Sequence, residues 1–547
     1  MVILLSVSSL NPVIGHLVEG FSSEPMYMSP SQPLSTSVAE WSETAKMIAS
    51  DGDPNDWFGI SVDIDGNYCV IGARDDDQER GSACVFRYDG SQWVHDQKLI
   101  APDGVAGDWF GISVAIQGEY IFVGADADDN ANGINAGSVY IFKQITSSWL
   151  LQEMILASDG TTDDYFGRYI SLDDEVAVIG AYYDNEITGS AYVFKRIGGD
   201  WVEEDKLVAS DGEPGDYFGV STSINGQYAI IGAYRDDNIN GIDAGAVYIF
   251  KRTGSGWVED DRILASDGAS YDRFGISTSS EGDSLVIGAY YDDDSTGSAY
   301  VWKNTTTGWI EDTKLLASDG KMNNFFGRSV SLAGEYMIIG AWGDTGSSGS
   351  AYVFRHIDTQ WVEENKLYAS DGANNDRFGY QVSLDGRNAV IGAYLDDNTN
   401  GVDAGSAYMF TRQTDNQPPY RPTLDGPTSG HIHTSYEFFF HTTDPDGDEV
   451  YYYVDWGDHT TAEWIGPYGS DELITLSHAW TQKATYIVKA KAKDDSAAES
   501  EWAFLSISIP CDICFNLIFH HPLLSRFLTL FSELSLMLRR VITTEMK

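Results

Sequence analysis

The stretch Ala209-Ser-Asp-Gly-Glu-Pro-Gly-Asp-Tyr-Phe-Gly219, followed after a short run by Tyr228-Ala-Ile-Ile-Gly-Ala-Tyr234, decides the fold. Its Phe-Gly pair occurs seven times, and the steps between successive glycines are 52 or 56 residues. A period of this length is typical of solenoids, propellers and other repeat architectures. The glycines of the seven pairs are Gly59, Gly111, Gly167, Gly219, Gly275, Gly327 and Gly379.

Each repeat contains four strand-like runs. In the fourth repeat they are Phe218–Ile224, Tyr228–Tyr234, Ala246–Arg252 and Trp257–Ser266. The runs are short, rich in Val, Ile, Tyr and Phe, and separated by Gly, Asn and Asp, which is the pattern of strands and turns. Four antiparallel strands in each of seven repeats predict an all-β chain with a seven-bladed β-propeller, in which neighbouring blades bury each other's faces.

The two ends of the repeat region predict a closed ring. Internal repeats carry a Trp eight residues before an Ala, as in Trp93 to Ala101. The seventh repeat ends at Ala407–Phe410 without that Trp, which occurs instead at the front, in the stretch Trp41–Ala49. We therefore expect the N-terminal strand to complete the last blade, because a closed ring leaves no open sheet edge.

These repeats resemble the FG-GAP repeats of integrin-alpha-type propellers over residues 41–412. The resemblance implies a cell-surface protein used in adhesion. One feature departs from the family's pattern, since the Pro that usually follows Gly-Ala is absent. The residues at that position are Arg74, Asp126, Tyr182, Tyr234, Tyr290, Trp342 and Tyr394.

Composition limits the partners. The chain has 547 residues, enough for two or more domains, and a formal net charge of -50 from 83 acidic and 33 basic residues. Nucleic acid is excluded as an expected partner, because phosphate binding needs a basic surface. The acidic excess is compatible with a soluble, monomeric protein, with cation binding or with adaptation to high salt.

The segments outside the repeats suggest a secreted or cell-surface protein. Residues 1–20 are apolar and similar to a secretory signal that lacks its positive start, and residues 21–40 form a Ser/Pro-rich linker. Residues 413–417 form a second linker and precede a predicted β-sandwich at residues 418–509. Residues 510–547 are an apolar tail interrupted by polar residues, which leaves membrane attachment open.

The predicted sandwich resembles PKD domains, Ig-like modules of cell-surface proteins. The resemblance rests on Asp444-Pro-Asp-Gly-Asp448, Val454-Asp-Trp-Gly-Asp458 and Tyr486-Ile-Val-Lys-Ala-Lys-Ala-Lys-Asp494. His459 and Ala484 stand where that family often has Gly. Such a module would act as a spacer or an adhesion unit.

Strand parity predicts that two sets of acidic loops share one face of the propeller. Alternate loops of an antiparallel blade emerge on opposite faces. The loop between the second and third strands and the loop between blades therefore lie together. The first carries runs such as Asp75-Asp-Asp77, and the second carries Ser-Asp-Gly with a later Asp, as in Asp211 and Asp216. We expect the binding surface on this face, because binding residues concentrate on loops held by a rigid scaffold.

Three of the loops between the second and third strands are candidate calcium sites. The span between flanking glycines is thirteen residues in repeats two, four and seven and nine in the others. Oxygen side chains at positions 1, 3 and 5 followed by Gly match the start of a calcium loop. The far-end Glu is missing, so an Asx-turn loop with solvated acids is the alternative. The candidate ligands are Asp128, Asn130, Asn132, Asp236, Asn238, Asn240, Asp243, Asp396, Asn398, Asn400 and Asp403.

A second candidate surface is formed by the residue before each Phe-Gly pair. With the neighbouring acids, such aromatics are similar to the lining of carbohydrate sites, although aromatics at blade ends also pack blade against blade. The candidates for a ligand rim are Trp57, Trp109, Tyr165 and Tyr217.

The repeats offer no recognisable catalytic constellation. They contain His95 and His356 as their histidines and lack Gly-x-Ser-x-Gly, His-Glu-x-x-His and phosphate-loop motifs. Carboxylates recur on every blade, which favours a surface over a tuned pair. The sequence therefore predicts a non-enzymatic binding protein for a glycan or a cell-surface protein. A propeller enzyme acting on extracellular polysaccharide is the alternative.

Overall fold

The computed structural model describes residues 41–413 and 416–510. The predicted signal-like segment and the first linker lie outside the described residues, as does the apolar tail beyond Pro510. The described residues form nine antiparallel sheets. Among the described residues, no helix is both long and apolar enough to cross a membrane.

Seven of the sheets have four strands each and form the blades of the propeller. The strands are β1 (Trp41–Met47), β2 (Phe58–Asp65), β3 (Tyr68–Ala73), β4 (Ser82–Tyr88), β5 (Trp93–Leu99), β6 (Ser113–Gln117), β7 (Tyr120–Ala125), β8 (Ser138–Ile145), β9 (Ser148–Ile155), β10 (Phe166–Asp173), β11 (Val176–Ala181), β12 (Ser190–Ile197), β13 (Asp200–Leu207), β14 (Phe218–Asn225), β15 (Tyr228–Ala233), β16 (Ala246–Thr253), β17 (Gly256–Ile263), β18 (Ser277–Glu281), β19 (Ser284–Ala289), β20 (Ser298–Thr305), β21 (Gly308–Leu315), β22 (Phe326–Ala333), β23 (Tyr336–Ala341), β24 (Ser350–Ile357), β25 (Gln360–Leu367), β26 (Val382–Asp385), β27 (Asn388–Ala393) and β28 (Ser406–Arg412).

Blades 1 to 6 take four consecutive strands each, beginning with β2–β5, and blade 7 has the order β1-β28-β27-β26. The N-terminal strand therefore completes the last blade, as predicted, with Trp41 opposite Arg412 and Met47 opposite Ala407. Single turns in which the last three residues have positive φ occupy the four shorter loops between second and third strands: Asp76–Glu79, Asp184–Ile187, Asp292–Ser295 and Asp344–Ser347.

The core consists of layers between consecutive blades. The Phe of every Phe-Gly pair is buried; Phe218, for example, packs edge-to-face on Tyr248 at a centroid distance of 5.5 Å. The same layer contains Val178 from the preceding blade and Ile231 from its own. Burial of such side chains at about 25 cal/mol per Å² of apolar surface holds the ring together.

Glycine is required where blades approach closely. A Cβ on Gly232 of blade 4 would lie within 3.0 Å of the carbonyl oxygen of Gly275 in blade 5, a distance that real Cβ atoms do not adopt. The Gly of the other Gly-Ala pairs meets the Gly of the next Phe-Gly pair in the same way, including Gly392 of blade 7 against Gly59 of blade 1.

The second domain is a β-sandwich, as the sequence predicts. One sheet has the order β29-β30-β33 and the other β32-β31-β34-β35. The buried aromatic residues Phe438, Tyr452, Trp456 and Trp480 lie between them. The strands are β29 (Thr423–Asp425), β30 (Tyr436–His441), β31 (Val450–Asp455), β32 (Thr461–Tyr468), β33 (Ile474–His478), β34 (Thr485–Asp494) and β35 (Ala503–Ser508).

Removing the closing strand should destabilise the propeller. Deletion of residues 1–50 exposes the hydrogen-bonding edge of β28, so we expect a sharply lower melting temperature and self-association through that edge. Deletion of residues 1–40 keeps β1 and should leave both properties unchanged. Calorimetry and size-exclusion chromatography test this. A monomeric product with an unchanged melting curve after deletion of residues 1–50 would contradict the contribution of β1.

Candidate functional site

The two sets of acidic loops lie on one face of the propeller, as strand parity predicts. In blade 1 the pairing places Phe58, Ala73 and Ser82 at one end of the sheet and Asp65 and Tyr68 at the opposite end. The loop between second and third strands and the loop entering the blade both start from the first end. We call these fourteen loops together the acid rim.

Cations neutralise much of the acid rim. In blade 3, Lys206 on the outermost strand places its Nζ atom 2.7 Å from carboxylate oxygens of both Asp159 and Asp184. Asp159 comes from the loop entering the blade and Asp184 from the loop between the second and third strands. The same bridge is made by the cations Lys46, Lys98, Arg262, Lys314 and Lys366 in five other blades.

Blade 2 lacks this cation. Met154 pairs with Tyr140 at the position where the other blades have Lys or Arg. The two carboxylates are nevertheless present, since the Tyr140 hydroxyl donates to Asp103 at 3.0 Å and the Ser138 hydroxyl donates to Asp128. Burial, together with the charge of Asp103, raises the pKa of the Asp128 carboxyl. Blade 2 thus holds an acidic pair without its usual counter-charge.

The three longer loops share one hydrogen-bonding arrangement. In blade 4, Asn238 Oδ1 accepts the N–H of Asn240 at 2.8 Å, and the amide groups of both side chains donate to backbone carbonyls. Asn130 and Asn132 in blade 2 and Asn398 and Asn400 in blade 7 do the same. This is the Asx-turn arrangement.

The aspartates of these loops have two different environments. Asp128, Asp236 and Asp396 are buried, and Asp236 meets Arg262 at 2.5 Å. Asp243 is only half-buried, and its backbone N–H donates to Asp237 at 2.7 Å; Asp403 does the same with Asp397. Calcium binding by the eleven candidate residues stays a prediction.

The predicted ligand-rim aromatics lie at the mouth of the central channel, on the acid-rim face. Trp57, Trp109, Tyr165 and Tyr217 are half-buried and have φ values of 57, 59, 56 and 60°. A bulky residue at positive φ is uncommon and strained, and it persists only where the surroundings hold it. The equivalent residues Arg273, Phe325 and Arg377 have the same backbone conformation.

These residues join those that follow Gly-Ala to form an aromatic and arginine-containing ring, which we call the belt. Arg74 lies 4.4 Å from the Trp57 ring and 4.7 Å from the Trp109 ring of the next blade. Phe325 stacks on Trp342 with centroids 4.5 Å apart. In order around the mouth, the belt is Trp57, Arg74, Trp109, Asp126, Tyr165, Tyr182, Tyr217, Tyr234, Arg273, Tyr290, Phe325, Trp342, Arg377 and Tyr394.

Several arginines at the mouth have tyrosine partners in place of acids. Arg273 donates to the Tyr290 hydroxyl at 2.8 Å, and Arg328, below the belt, donates to the Tyr380 hydroxyl at 2.9 Å. Arg235 lies over the Tyr217 ring at 4.8 Å, and Arg377 over Tyr394 at 5.4 Å. No carboxylate among the described residues comes within 4.0 Å of these four guanidinium groups.

The belt contains one carboxyl group, Asp126. It is buried, its Oδ1 has no hydrogen-bond partner, and its nearest cation is Arg168 at 3.7 Å. Burial raises the pKa of Asp126 to about 6, with Arg168 and Arg74 opposing the shift. Below it, a cavity of about 70 Å³ is lined by Arg168 and Arg328 among others. Sequence reasoning missed Asp126, although its signal was visible: this position is aromatic or Arg in the other six repeats.

The comparison with known families decides the identity of the propeller. Seven stretches match the FG-GAP repeat, at residues 41–86, 93–142, 149–194, 201–250, 257–302, 309–354 and 361–410, which together exceed half of the chain. The chain belongs to the FG-GAP repeat family. Propellers of this family and PKD domains are typical of extracellular binding proteins.

Solved structures match short parts of the chain. The PKD domain of an M14-like peptidase from Thermoplasmatales archaeon SCGC AB-540-F20 is 51% identical, with 18% of this chain covering 99% of that one at a TM-score of 0.17. The CARDB domain of PF1109 from Pyrococcus furiosus is 15% identical, with 16% of this chain covering 93% of that one at a TM-score of 0.13. The C-terminal sandwich is PKD-like.

A further aspartate recurs in six of the seven FG-GAP repeats, two residues before the Phe of the Phe-Gly pair. Its buried carboxylate accepts a backbone N–H from three residues earlier, as in Asp216 with Glu213 at 2.7 Å. Burial raises the pKa of Asp216 to about 6. Repeat six has Asn324 at this position. The other members are Asp56, Asp108, Asp164, Asp272 and Asp376.

Asp216→Asn, which copies Asn324, should change how stability depends on pH. The folded-state pKa lies above the unfolded value, so the native state binds the proton more tightly, and the carboxyl's contribution is lost as pH rises through about 6. We expect the variant to gain melting temperature relative to the wild type between pH 4 and pH 8. Calorimetry measures the difference, with Glu213→Gln in the same loop as an exposed control of equal charge change. A difference that does not vary with pH would contradict the raised pKa.

Proposed function

We propose that this protein is a secreted or cell-surface binding protein that captures an acidic sugar at the belt. The observation that carries the proposal is the set of mouth arginines without carboxylate partners, in a chain of net charge -50. On the acid rim, by contrast, six of the seven blades pair their cation with two carboxylates. A guanidinium group beside aromatic rings that is not paired with a protein carboxylate suits a ligand carboxylate or sulfate, because guanidinium groups bind such anions with charge-assisted hydrogen bonds.

The form of the ligand follows from the surrounding charge. The acid rim encircles the belt, and at physiological salt its repulsion acts over about 8 Å. A long polyanion lying across the face would meet that repulsion along its length. A glycan end with one acidic sugar would bring its charge to the arginines and its apolar ring face to the aromatics. We therefore favour a terminal acidic sugar over a polyanion or a protein surface.

Binding is favoured over cleavage of polysaccharide. Glycoside hydrolysis commonly uses two carboxyl groups on either side of the scissile bond. The fourteen belt positions include one, Asp126, whose raised pKa is the observation that supports the enzymatic alternative. Its unpaired Oδ1 is equally suited to accept a sugar hydroxyl, which is the role it takes in the proposed binding site.

The proposal predicts that belt arginines determine affinity. Arg273→Gln combined with Arg377→Gln should weaken binding to acidic glycans about tenfold or more, because each charge-assisted hydrogen bond contributes about 1.5–3 kcal/mol. The control is Lys195→Gln with Lys251→Gln at the opposite face, an equal change of charge. A glycan array and a surface-protein panel, each read with and without calcium, provide the measurement. Full binding by the belt variant, or selective binding of neutral glycans or proteins, would contradict the proposal.

We also propose that calcium binds the acid rim in blade 2. Of the three longer loops, the one at Asp236 already has Arg262, and the one at Asp396 has Lys46 at 2.8 Å. Asp128 and its neighbour Asp103 have no such cation within 4.0 Å in the part of the chain that the structure describes. Hard oxygen ligands lacking a counter-charge are what calcium requires, so the three loops are not equivalent.

Met154→Lys should replace the bound calcium with an ammonium group. We expect the variant to be more stable than the wild type in chelator, by about 1 kcal/mol, and to lose the response to calcium in this loop. For the wild type, calcium at a hundredfold excess over its dissociation constant should add about 2.7 kcal/mol. Thermal melts with chelator and with calcium provide the test, and Met154→Leu is the control that should keep the response.

Two results would contradict this assignment. One is an equal calcium response in Met154→Lys and Met154→Leu. The other is a loss of bound calcium on changing Asp236→Ala with Asn240→Ala, since the Arg262 bridge makes that loop independent of the metal.

A further inference from the structure

The loop between β30 and β31 of the second domain brings three carboxylates together. Asp444, Asp446 and Asp448 each offer one oxygen, and these oxygens lie within 4.8 Å of one another. The sequence Asp444-Pro-Asp-Gly-Asp448 places the acids on alternate residues, with Gly447 at φ 79° completing the turn. This spacing allows side chains of a tight loop to converge on one point.

The innermost of the three carboxylates has an unused oxygen. Asp444 is 6% exposed, and its Oδ1 accepts the backbone N–H groups of Asp446 at 2.8 Å and Asp448 at 3.3 Å. Its Oδ2 is buried and has no hydrogen-bond partner. A buried carboxylate oxygen left without a donor is costly, and native structures usually satisfy such an atom with a protein group, water or an ion.

Charge around the loop also favours a cation. Asp494 and Asp495 place two further carboxylates close enough to interact electrostatically with Asp444 and Asp448. The positive neighbour is Arg387, from the turn between β26 and β27 of the propeller, whose Nη2 lies 3.8 Å from Asp448. Among the described residues, Arg387 is the one cation within 4.0 Å of any of these five carboxylates.

We propose that this loop binds one Ca²⁺ ion, with Asp444 Oδ2 and one oxygen each of Asp446 and Asp448 as protein ligands. Carboxylate oxygens without nitrogen or sulfur ligands suit a hard cation rather than zinc. Calcium accepts the irregular geometry of such a loop and completes its shell with water, whereas magnesium demands a near-ideal octahedron.

The ion would also strengthen the junction between the domains. The other carboxylate oxygen of Asp446 accepts a hydrogen bond of 2.6 Å from the backbone N–H of Gln417, a linker residue. The backbone carbonyl of Asp446 accepts a hydrogen bond of 2.7 Å from Arg387 Nη2. Fixing the loop around calcium therefore fixes the groups that hold the linker and the last blade.

Calorimetric titration of the full chain with calcium chloride tests the site. Titrations use the Met154→Lys background, so that the blade-2 site does not contribute. We expect Asp446→Asn with Asp448→Asn to lose one equivalent of bound calcium. The control, Asp425→Asn with Asp471→Asn, removes two exposed acids of the same domain and should lose none. Absence of calcium binding in the parent, or equal stoichiometry in both double variants, overturns the proposal.

Arg387→Gln gives a second test that leaves the loop itself intact. Removing a positive charge beside the ion should tighten calcium binding about threefold or more, because like charges repel at this distance even when partly screened. This variant decides the question if the double Asn variant fails to fold. Unchanged calcium affinity in Arg387→Gln overturns the proposal, since the guanidinium group would then be too far from the ion to affect it.

Discussion

Consecutive blades touch where the glycine of one Gly-Ala pair faces the carbonyl oxygen of the next Phe-Gly glycine. A Cβ at any of these seven contacts would overlap that oxygen, so both pairs must recur once per blade. The buried Phe beside each contact fills the space between the sheets. Because the first and second strands of each blade are locked at this spacing, the loops at their Phe-Gly and Gly-Ala ends are held in fixed positions around the channel.

That regular frame makes the exceptions informative. Six blades bridge two rim carboxylates with Lys or Arg, and blade 2 has Met154 instead. Six repeats have an aromatic residue or Arg after Gly-Ala, and repeat two has Asp126. The residues that all blades share are explained by the stability of the propeller. Met154 and Asp126 have no such explanation, and both lie in the second repeat. They are therefore the positions at which ligand binding is best sought.

Charge is distributed in the same selective way. Acids line the rim, where lysines and arginines offset part of their charge, and they also line the loop of the second domain around Asp444. The mouth, by contrast, collects arginines that are held by tyrosine hydroxyls and ring faces. A strongly acidic protein thus presents a positively charged centre within an acidic face, which is why we propose an anion as the ligand of the belt and cations as the ligands of the acidic loops.

The sequence alone determined the number of blades, the closing strand at Trp41–Met47, the shared face of the acidic loops and the sandwich that follows. These features depend on local periodicity and strand parity, both of which follow directly from the order of residues along the chain. It pointed to the belt residues that precede each Phe-Gly pair, but it did not reveal that the residues after Gly-Ala join them, the absence of a cation beside Asp128 or the unpaired oxygen of Asp444. Belt residues from successive blades come from separate repeats, Met154 takes the place of the rim cation through its pairing with Tyr140 across the sheet, and Arg387 reaches Asp448 from another domain. Such contacts depend on distances between elements, which only the tertiary structure decided.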